Sequence, residues 1–377
     1  MKKRLLIPGP VELSPEVRAS QSKPIMGHRT PDFNEILEDC WNELKEIYQT
    51  KNDVAIITGS GTSAMDASIA STVSSGDEVI CIGGGKFGER FPKIVEAYGG
   101  KPIDVPVEWG KSVAPEDVKK AVSNSNAVAI TLTHNETSTG VIHDAKAIGQ
   151  IAREHKLLFI MDAITSLGGD VVKTDAWGVD ICISGSQKCL GAPPGLGFAA
   201  VSDKAWKVID ENSEKRGFYL DLSSYKKSIS KSTTPFTPAV SLIYGLKTAL
   251  AQIKEEGIEN RILRHHRLAN ATRNAAKAMN LELFADESCA SNTVTAIKIP
   301  DGLTDNDVRG RMKEDFGILL AGGQDSVKGK IFRIGHMANV DEVELLGVIS
   351  ALELVLAKAG HDNAPGNGPR AAIESFF

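Results

Sequence analysis

The amino-acid sequence predicts an α/β fold, with a large, mostly parallel sheet followed by a smaller α+β unit. Between residues 52 and 201, short apolar stretches alternate with helix-forming ones, and strands that are apolar throughout need cover on both faces. After about residue 242 the pattern changes to long helices with a few strands between them. With 377 residues, 42% of them hydrophobic, the chain can form one large domain and one smaller one.

The composition argues against several classes of protein. A net charge of −5 gives no electrostatic reason to expect nucleic acid or an anionic membrane as a partner. No apolar run approaches the roughly 20 residues of a spanning helix, and the apolar start is too short for a signal peptide, so we expect a cytoplasmic protein. Five scattered cysteines indicate neither a disulfide framework nor a zinc site, and we expect no metal.

The chain starts with a predicted extended arm over residues 1–20, because Pro8 and Pro10 prevent a continuous helix. Ser14 followed by Pro15 is typical of a short helix start. A longer helix is predicted over about 32–49, with apolar residues at helical spacing.

Strands and helices then alternate through the large domain, predicted at 21–258. The strands are expected at 54–57, 78–82, 101–105, 127–133, 157–161, 179–183 and 197–201. The helices between them are expected near 62–73, 87–98, 115–122 and 145–155. In such sheets ligands bind at the carboxyl ends of the strands.

The small C-terminal domain is predicted at 259–358. It should contain a basic helix around 261–267, strands at 292–297 and 331–334, and helices at 305–315 and 341–357. Residues 359–377 include a Gly/Pro/Asn-rich stretch, which predicts a flexible tail.

One lysine has unusual surroundings. Lys188 follows the strand predicted at 179–183 and lies between small residues and the Gly/Pro-rich turn at 191–195. A partly buried amine with a lowered pKa is therefore expected, and such an amine is a nucleophile. It suits a Schiff base with an aldehyde, above all pyridoxal 5'-phosphate. The alternative is an ordinary surface lysine.

Pyridoxal phosphate also requires an anion at its ring nitrogen. Asp162 follows the apolar run 158–161, and its charge would keep that nitrogen protonated. A strand-end aspartate is otherwise usually a turn cap.

A phosphate site and a surface for the cofactor ring are predicted at other strand ends. Ser60, Gly61 and Thr62 begin a helix, where free N–H groups attract a phosphate, although helix capping explains the hydroxyls equally well. Gln187 could supply another donor. Phe87 is the candidate ring platform, and Thr137 could donate a hydrogen bond to the cofactor's phenolic oxygen.

Several segments together resemble the class V aminotransferases, most closely the alanine:glyoxylate and serine:pyruvate aminotransferases. They are residues 6–10, 58–62, 133–140, 161–169, 184–188 and 332–335. The similarity runs in order from residue 5 to about residue 357, and the lysine and aspartate segments are its most specific parts.

The resemblance implies a fold-type I pyridoxal-phosphate enzyme that is a homodimer with shared active sites. Lys188 would be the Schiff-base lysine and proton shuttle, and Asp162 the partner of the pyridinium. Thr237 matches a threonine that closes the other subunit's site. Two positions depart from the family pattern: Phe87 stands where animal members often have tryptophan, and Thr62 replaces a histidine.

The resemblance also assigns Arg333 to the α-carboxylate of the substrate, because a guanidinium binds a carboxylate through two parallel hydrogen bonds. Taken alone, an arginine on an apolar strand usually either extends its charged end to solvent or pairs with an acid. Gly9, His28 and Arg29 are the other predicted substrate-binding residues.

The predicted reaction is transfer of an amino group from a small amino acid, such as alanine or serine, to glyoxylate or pyruvate. Its partners would be small amino and keto acids. Aspartate or 2-aminoethylphosphonate transamination remains an alternative. A cysteine desulfurase is less favoured, since the loop at 321–326 contains no cysteine.

Two interpretations that do not involve pyridoxal-phosphate catalysis remain. Residues 83–88 fit G-x-G-x-x-G, with Asp104 at the end of the next strand, which would indicate a dinucleotide-binding dehydrogenase. A non-catalytic scaffold is the other reading, but a scaffold requires none of the lysine, the aspartate and the arginine.

Overall fold

The computed structural model describes residues 3–214 and 217–377. Its strands are β1 Arg4–Leu6, β2 Asp53–Thr58, β3 Glu78–Ile82, β4 Lys101–Val105, β5 Ala127–Thr133, β6 Asn135–Glu136, β7 Val141–Ile142, β8 Leu158–Asp162, β9 Ile181–Gly185, β10 Leu196–Val201, β11 Val294–Lys298, β12 Ile318–Gly322 and β13 Ile331–Gly335. Its α-helices are α1 Pro15–Ser20, α2 Pro31–Tyr48, α3 Gly61–Thr72, α4 Arg90–Ala97, α5 Pro115–Ser123, α6 Ala145–Glu154, α7 Thr174–Trp177, α8 Asp203–Glu211, α9 Leu222–Ile229, α10 Val240–Glu256, α11 Ile258–Ala278, α12 Arg311–Phe316, α13 Glu342–Lys358 and α14 Asn367–Glu374.

The large sheet has seven strands in the order β2-β10-β9-β8-β5-β3-β4. Strand β10 runs antiparallel to both of its neighbours, whereas the other pairs are parallel. The carboxyl ends of β2, β3, β5, β8 and β9 therefore lie along one edge of the sheet, which is where α/β proteins bind their ligands.

Both faces of the large sheet are buried, because its strands are apolar on both sides. Ile130 and Phe159 belong to the core on one face, and the residues next to them, Ala129 and Ile160, belong to the core on the other. Burying an Ile or Phe side chain contributes about 1.5–3 kcal/mol. These two cores hold the strand ends, and the loops that follow them, in fixed positions.

The second sheet has four strands in the order β1-β12-β13-β11. The sequence predicted an extended arm at residues 1–20, of which residues 1 and 2 lie outside the described residues. In the structure the first part of that arm is a strand, because β1 pairs in parallel with β12. Leu6 is fully buried in the core beneath this sheet. The N-terminal segment is thus a structural part of the smaller unit.

The C-terminal segment also differs from the flexible tail expected at residues 359–377. Helix α14 packs beside α11 and α13, and Ala372 is fully buried in their core. The carboxylate of Glu353 accepts hydrogen bonds from the backbone N–H groups of Gly366 and Gly368 at 2.7 and 2.9 Å. The Gly/Pro-rich composition therefore marks the turn before a docked helix.

Within the described residues, none of the helices has the length and apolar character that a membrane crossing requires.

Candidate active site

A cavity opens at the carboxyl edge of the large sheet, where the loops after β2, β3, β5, β8 and β9 meet. Its walls are formed by Ser60, Gly61, Thr62, Phe87, Arg90, Thr133, Asn135, Thr137, Asp162, Ile164, Thr165, Gln187 and Lys188. The structure thus brings together every residue predicted to bind the cofactor except Thr237.

Lys188 projects its amine into this cavity. Nζ donates a hydrogen bond to the carbonyl oxygen of Pro8 and lies 5.8 Å from the centre of the Phe87 ring. Burial lowers the pKa of the Lys188 amine to about 8, and the nearby positive charge of Arg333 acts in the same direction. A lysine with this pKa has an appreciable neutral, nucleophilic fraction near physiological pH.

Gly9 packs directly against that lysine. A Cβ atom at Gly9 would lie 2.5 Å from the Lys188 Cδ atom, and the backbone φ of Gly9 is +98°. Both the contact and the left-handed conformation require glycine here. In this chain Gly9 therefore supports the lysine side chain, and its predicted contact with substrate stays a prediction.

Asp162 ends strand β8, which pairs with β9 so that Asp162 lies opposite Ile183. The side chain is 5% exposed, and Oδ1 accepts a hydrogen bond from the Ile164 N–H at 2.8 Å. Burial raises the pKa of the Asp162 carboxyl to about 6, although the Ile164 N–H and the charges of Arg90 and Lys188 oppose this shift. A buried carboxylate of this kind is suited to hold a cation deep in the cavity.

The N-terminus of α3 forms another wall of the cavity. Ser60 is its N-cap residue, but the Ser60 side chain makes no capping hydrogen bond. The capping alternative therefore does not account for this hydroxyl. A Cβ atom at Gly61 would lie 2.6 Å from the Ile164 Cδ1 atom, so only glycine allows the chain to pass this close. The first N–H groups of α3 and the helix dipole favour an anion here.

Arg90 is a cavity residue that the sequence reasoning missed. Its Nη1 atom donates a hydrogen bond to the Thr62 Oγ1 atom at 2.9 Å, and its guanidinium carbon lies 5.1 Å from the centre of the Phe87 ring. The signal was present in the sequence, since Arg90 follows the predicted ring platform by three residues. It brings a positive charge to the wall that Thr62 and Phe87 also form.

Pyridoxal phosphate fits this set of residues. Three buried polar atoms of the cavity walls, Thr133 Oγ1, Asn135 Oδ1 and Gln187 Oε1, have no hydrogen-bond partner among the described residues. Buried polar atoms are normally paired, so their pattern indicates a polar ligand. The cavity also offers an amine, a buried carboxylate, a helix N-terminus and an aromatic ring.

Arg333 lies on β13, beside this cavity. It is 5% exposed, and its guanidinium donates hydrogen bonds to the carbonyl oxygens of Gly322 and Thr137 at 2.7–3.1 Å. Among the described residues no Asp or Glu oxygen lies within 4.0 Å of it. Burial lowers the pKa of Arg333 to about 10. Arg333 therefore makes no ion pair among the described residues, although the charge of Glu136 acts on it from a longer distance and raises its pKa.

Three predicted site residues do not line the cavity of their own chain. Thr237 is exposed and does not line the cavity, and neither do His28 and Arg29. Arg29 instead donates from Nη1 to the Thr233 Oγ1 atom and the Thr234 carbonyl oxygen, at 2.6 and 2.5 Å. The prediction that His28 and Arg29 bind substrate therefore stays a prediction.

Comparison with known proteins identifies the family. The class-V aminotransferase family model matches residues 14–342. An uncharacterized aminotransferase of Methanocaldococcus jannaschii is 48% identical, over 96% of this chain and 94% of its own. A serine–glyoxylate aminotransferase of Hyphomicrobium methylovorum is 34% identical, over 99% of this chain and 94% of its own.

Solved structures agree with this assignment. The crystal structure of the ureidoglycine–glyoxylate aminotransferase of Bacillus subtilis matches with a TM-score of 0.95 at 33% identity, over 100% of this chain and 98% of its own. These neighbours are pyridoxal-phosphate enzymes of fold type I. The interpretations of the chain as a dehydrogenase or as a non-catalytic scaffold are therefore rejected. The chain belongs to the class-V aminotransferases and is a pyridoxal-phosphate-dependent aminotransferase.

Proposed function

We propose that this aminotransferase moves the amino group of a small amino acid, such as alanine or serine, to glyoxylate, with pyruvate as a second acceptor. The observation that carries the proposal is Arg333, a buried guanidinium that makes no ion pair within 4.0 Å among the described residues and lies beside the cavity that contains Lys188. A small 2-amino acid and glyoxylate both carry a carboxylate next to the reacting carbon, so one arginine can serve both halves of the reaction.

Each residue has a separate task in this proposal. The cofactor, when bound, supplies an electron sink for the electrons of the Cα–H bond. Lys188, whose pKa of about 8 leaves part of the amine neutral, takes up and returns the proton. Asp162 holds the positive charge at the base of the cavity, and Arg333 orients the Cα–H bond through the carboxylate.

The choice of glyoxylate rests on the names of the relatives, which are glyoxylate aminotransferases with different donors. Alanine and serine are the first donors to test. Aspartate and 2-aminoethylphosphonate transamination remain alternatives. The aminoethylphosphonate alternative predicts a phosphonate in place of the carboxylate at Arg333, and the guanidinium fork would accept either group.

We also propose that the protein works as a homodimer in which each chain completes the other's site. Thr237 is exposed in its own chain, and the nearby Phe236 ring stacks on Tyr219 with ring centres 5.0 Å apart. The Phe218 ring, whose centre lies 5.4 Å from that of Phe236, belongs to a residue that is 81% exposed. Large apolar side chains exposed together indicate a surface covered by another chain.

We also propose that the enzyme is cytoplasmic, since all five cysteines are free and buried, as is usual in a reducing compartment.

A panel of amino donors tested against glyoxylate and pyruvate, with identification of both products, tests the proposed substrates. We expect alanine or serine with glyoxylate to give glycine and the matching keto acid. Strong turnover with aspartate or 2-aminoethylphosphonate alone would replace the proposed donor. Turnover only with acceptors other than glyoxylate and pyruvate would reject the proposal.

A further inference from the structure

The loop between β3 and α4, which carries Phe87, is held by the buried carboxylate of Glu136. The charge of this group also raises the pKa values of Asp162, Lys188 and Arg333, but no role has been assigned to it above. Glu136 lies on the short strand β6 and is fully buried. Its Oε2 atom accepts hydrogen bonds from the N–H groups of Phe87 and Gly88 at 3.0 and 2.8 Å. The N–H of the ring platform residue is thus bound directly to this side chain.

The other oxygen of the same carboxylate is also fully used. Oε1 of Glu136 accepts hydrogen bonds from the N–H and the hydroxyl of Ser138 at 2.9 and 2.6 Å. That hydroxyl in turn accepts a hydrogen bond from the Lys86 N–H at 3.0 Å. Three successive N–H groups, those of Lys86, Phe87 and Gly88, are therefore bound by the Glu136–Ser138 pair.

The packing of the loop leaves little freedom. A Cβ atom at Gly85 would lie 2.5 Å from the Glu136 Cγ and Cδ atoms and from the Ser138 Oγ atom. The loop can approach the carboxylate this closely only because residue 85 is glycine.

A carboxylate that accepts four hydrogen bonds and donates none matches the acceptor capacity of the ionised form. The pKa of Glu136 is raised overall, because the effect of burial exceeds that of the hydrogen bonds with Ser138, Gly88 and Phe87, which lower it. Charge-assisted hydrogen bonds of this kind are roughly twice as strong as neutral ones.

We propose that Glu136 is a positioning residue that fixes the Phe87 ring as the platform for the cofactor. The ring is a cavity wall, and Arg90 and Lys188 both place their charges within 6 Å of its centre. A displacement of the Phe87 backbone would therefore move the surface on which a flat ring stacks. The proposal goes beyond the proposed donor and acceptor, and it holds whichever amino acid the enzyme uses.

The test variant is Glu136→Gln, which keeps the shape of the side chain. One amide oxygen cannot accept all four hydrogen bonds, and the amide NH₂ would face N–H groups that also donate. In the full-length chain without cofactor, we expect the amides of residues 83–91 to exchange hydrogen faster. The Kd for pyridoxal phosphate should rise about 10- to 100-fold, the range expected for lost bonds to a charged group.

Glu353→Gln is the matched control. Glu353 is also a buried carboxylate, 8% exposed, and it accepts hydrogen bonds from two glycine N–H groups, but it holds helix α14. This variant should accelerate exchange near residues 361–374 while the Kd for pyridoxal phosphate stays within about twofold.

A double-mutant cycle with Phe87→Leu separates positioning from a general loss of stability. If Glu136 acts through Phe87, the Kd of the double variant for the cofactor should be about the same as that of the single variant with the higher Kd. If Glu136→Gln does not fold, Ser138→Ala gives the answer, since it removes the hydroxyl between Glu136 and the Lys86 N–H. It should speed exchange in residues 83–91 and raise the Kd about 3- to 10-fold.

The proposal is overturned if Glu136→Gln leaves the exchange of residues 83–91 unchanged, or speeds it without raising the Kd. Fully additive effects in the cycle would also overturn it. Where only Ser138→Ala can be studied, unchanged exchange and an unchanged Kd would do the same. Every readout is independent of the donor panel, so a failure here leaves the proposed substrates standing.

Discussion

Arg333 Nη1 donates a hydrogen bond of 2.8 Å to the carbonyl oxygen of Thr137. The first residue lies on the small sheet and the second lines the cavity beside the large sheet. Because the other two bonds of the guanidinium go to Gly322, its position depends on both parts of the chain. If Arg333 binds the substrate carboxylate, as proposed, the two sheets together determine where that carboxylate is held relative to Lys188.

Arg333→Lys tests this role. Lysine keeps the positive charge but lacks the planar fork, so we expect kcat/KM for both the amino donor and the keto acid to fall about 10- to 100-fold. The visible spectrum and cofactor content should stay normal. Steady-state kinetics with each substrate varied in turn provide the measurement, and unchanged kinetics would show that the arginine is structural.

Asp162→Asn should lower turnover more than cofactor content. The amide oxygen can still accept the Ile164 N–H that Asp162 binds at 2.8 Å, so the loop should keep its shape. The neutral amide cannot stabilise a positive charge, and we expect kcat to fall on the order of a hundredfold or more. Turnover per bound cofactor is the quantity to compare. Equal values in the unchanged protein and in Asp162→Asn would show that Asp162 only caps its strand.

The pH dependence of cofactor capture should report the lowered pKa of Lys188, about 8. Below that pH the amine is mostly protonated and cannot attack an aldehyde, so the binding rate of the cofactor-free protein should rise with pH and level off above about 8. Because the charge of Asp162 raises the pKa of Lys188, Asp162→Asn should move the midpoint to lower pH.

Stopped-flow absorbance between pH 6.5 and 9.5 measures this rate, and Lys188→Ala is the control in which the phase should vanish. A rate that still rises steeply at pH 9.5 would indicate an amine with an ordinary lysine pKa.

Thr237→Ala should weaken cofactor binding about tenfold, although Thr237 does not line the cavity of its own chain. A hybrid dimer of one Thr237→Ala chain and one Lys188→Ala chain shows which subunit's site Thr237 completes. In such a dimer the site that keeps Lys188 receives its threonine from the Lys188→Ala chain, so its cofactor affinity should return to normal. Persistent weak binding in the hybrid, or an active monomer in sedimentation, would contradict the shared site.

Much of the site could be predicted because it is built from strand ends. Asp162 and Lys188 each follow an apolar strand, and parallel strands bring their carboxyl ends to one edge. Strand β10 is an exception. Its sequence is as apolar as those of its neighbours, but it runs antiparallel to them. Apolar composition specifies burial of a strand and leaves its direction open.

Other features depend on contacts that sequence patterns do not encode. Arg90 lines the cavity and donates a hydrogen bond to Thr62, 28 residues before it, whereas Arg29 donates hydrogen bonds to Thr233 and Thr234, more than 200 residues after it. Helix α14 is held by Glu353, a side chain 13 residues before Gly366. Long-range contacts of this kind decide which polar residues become part of a site.

Amino transfer in two half-reactions that depend on Lys188 can be tested by counting the products of each half-reaction separately. Purified holoenzyme is mixed with alanine or serine without an acceptor, and glyoxylate is added after the free donor has been removed. We expect about one keto acid per active site in the first step and about one glycine in the second, with neither product from Lys188→Ala. Glycine formed by Lys188→Ala at the normal rate, or no keto acid released before glyoxylate is added, would contradict it.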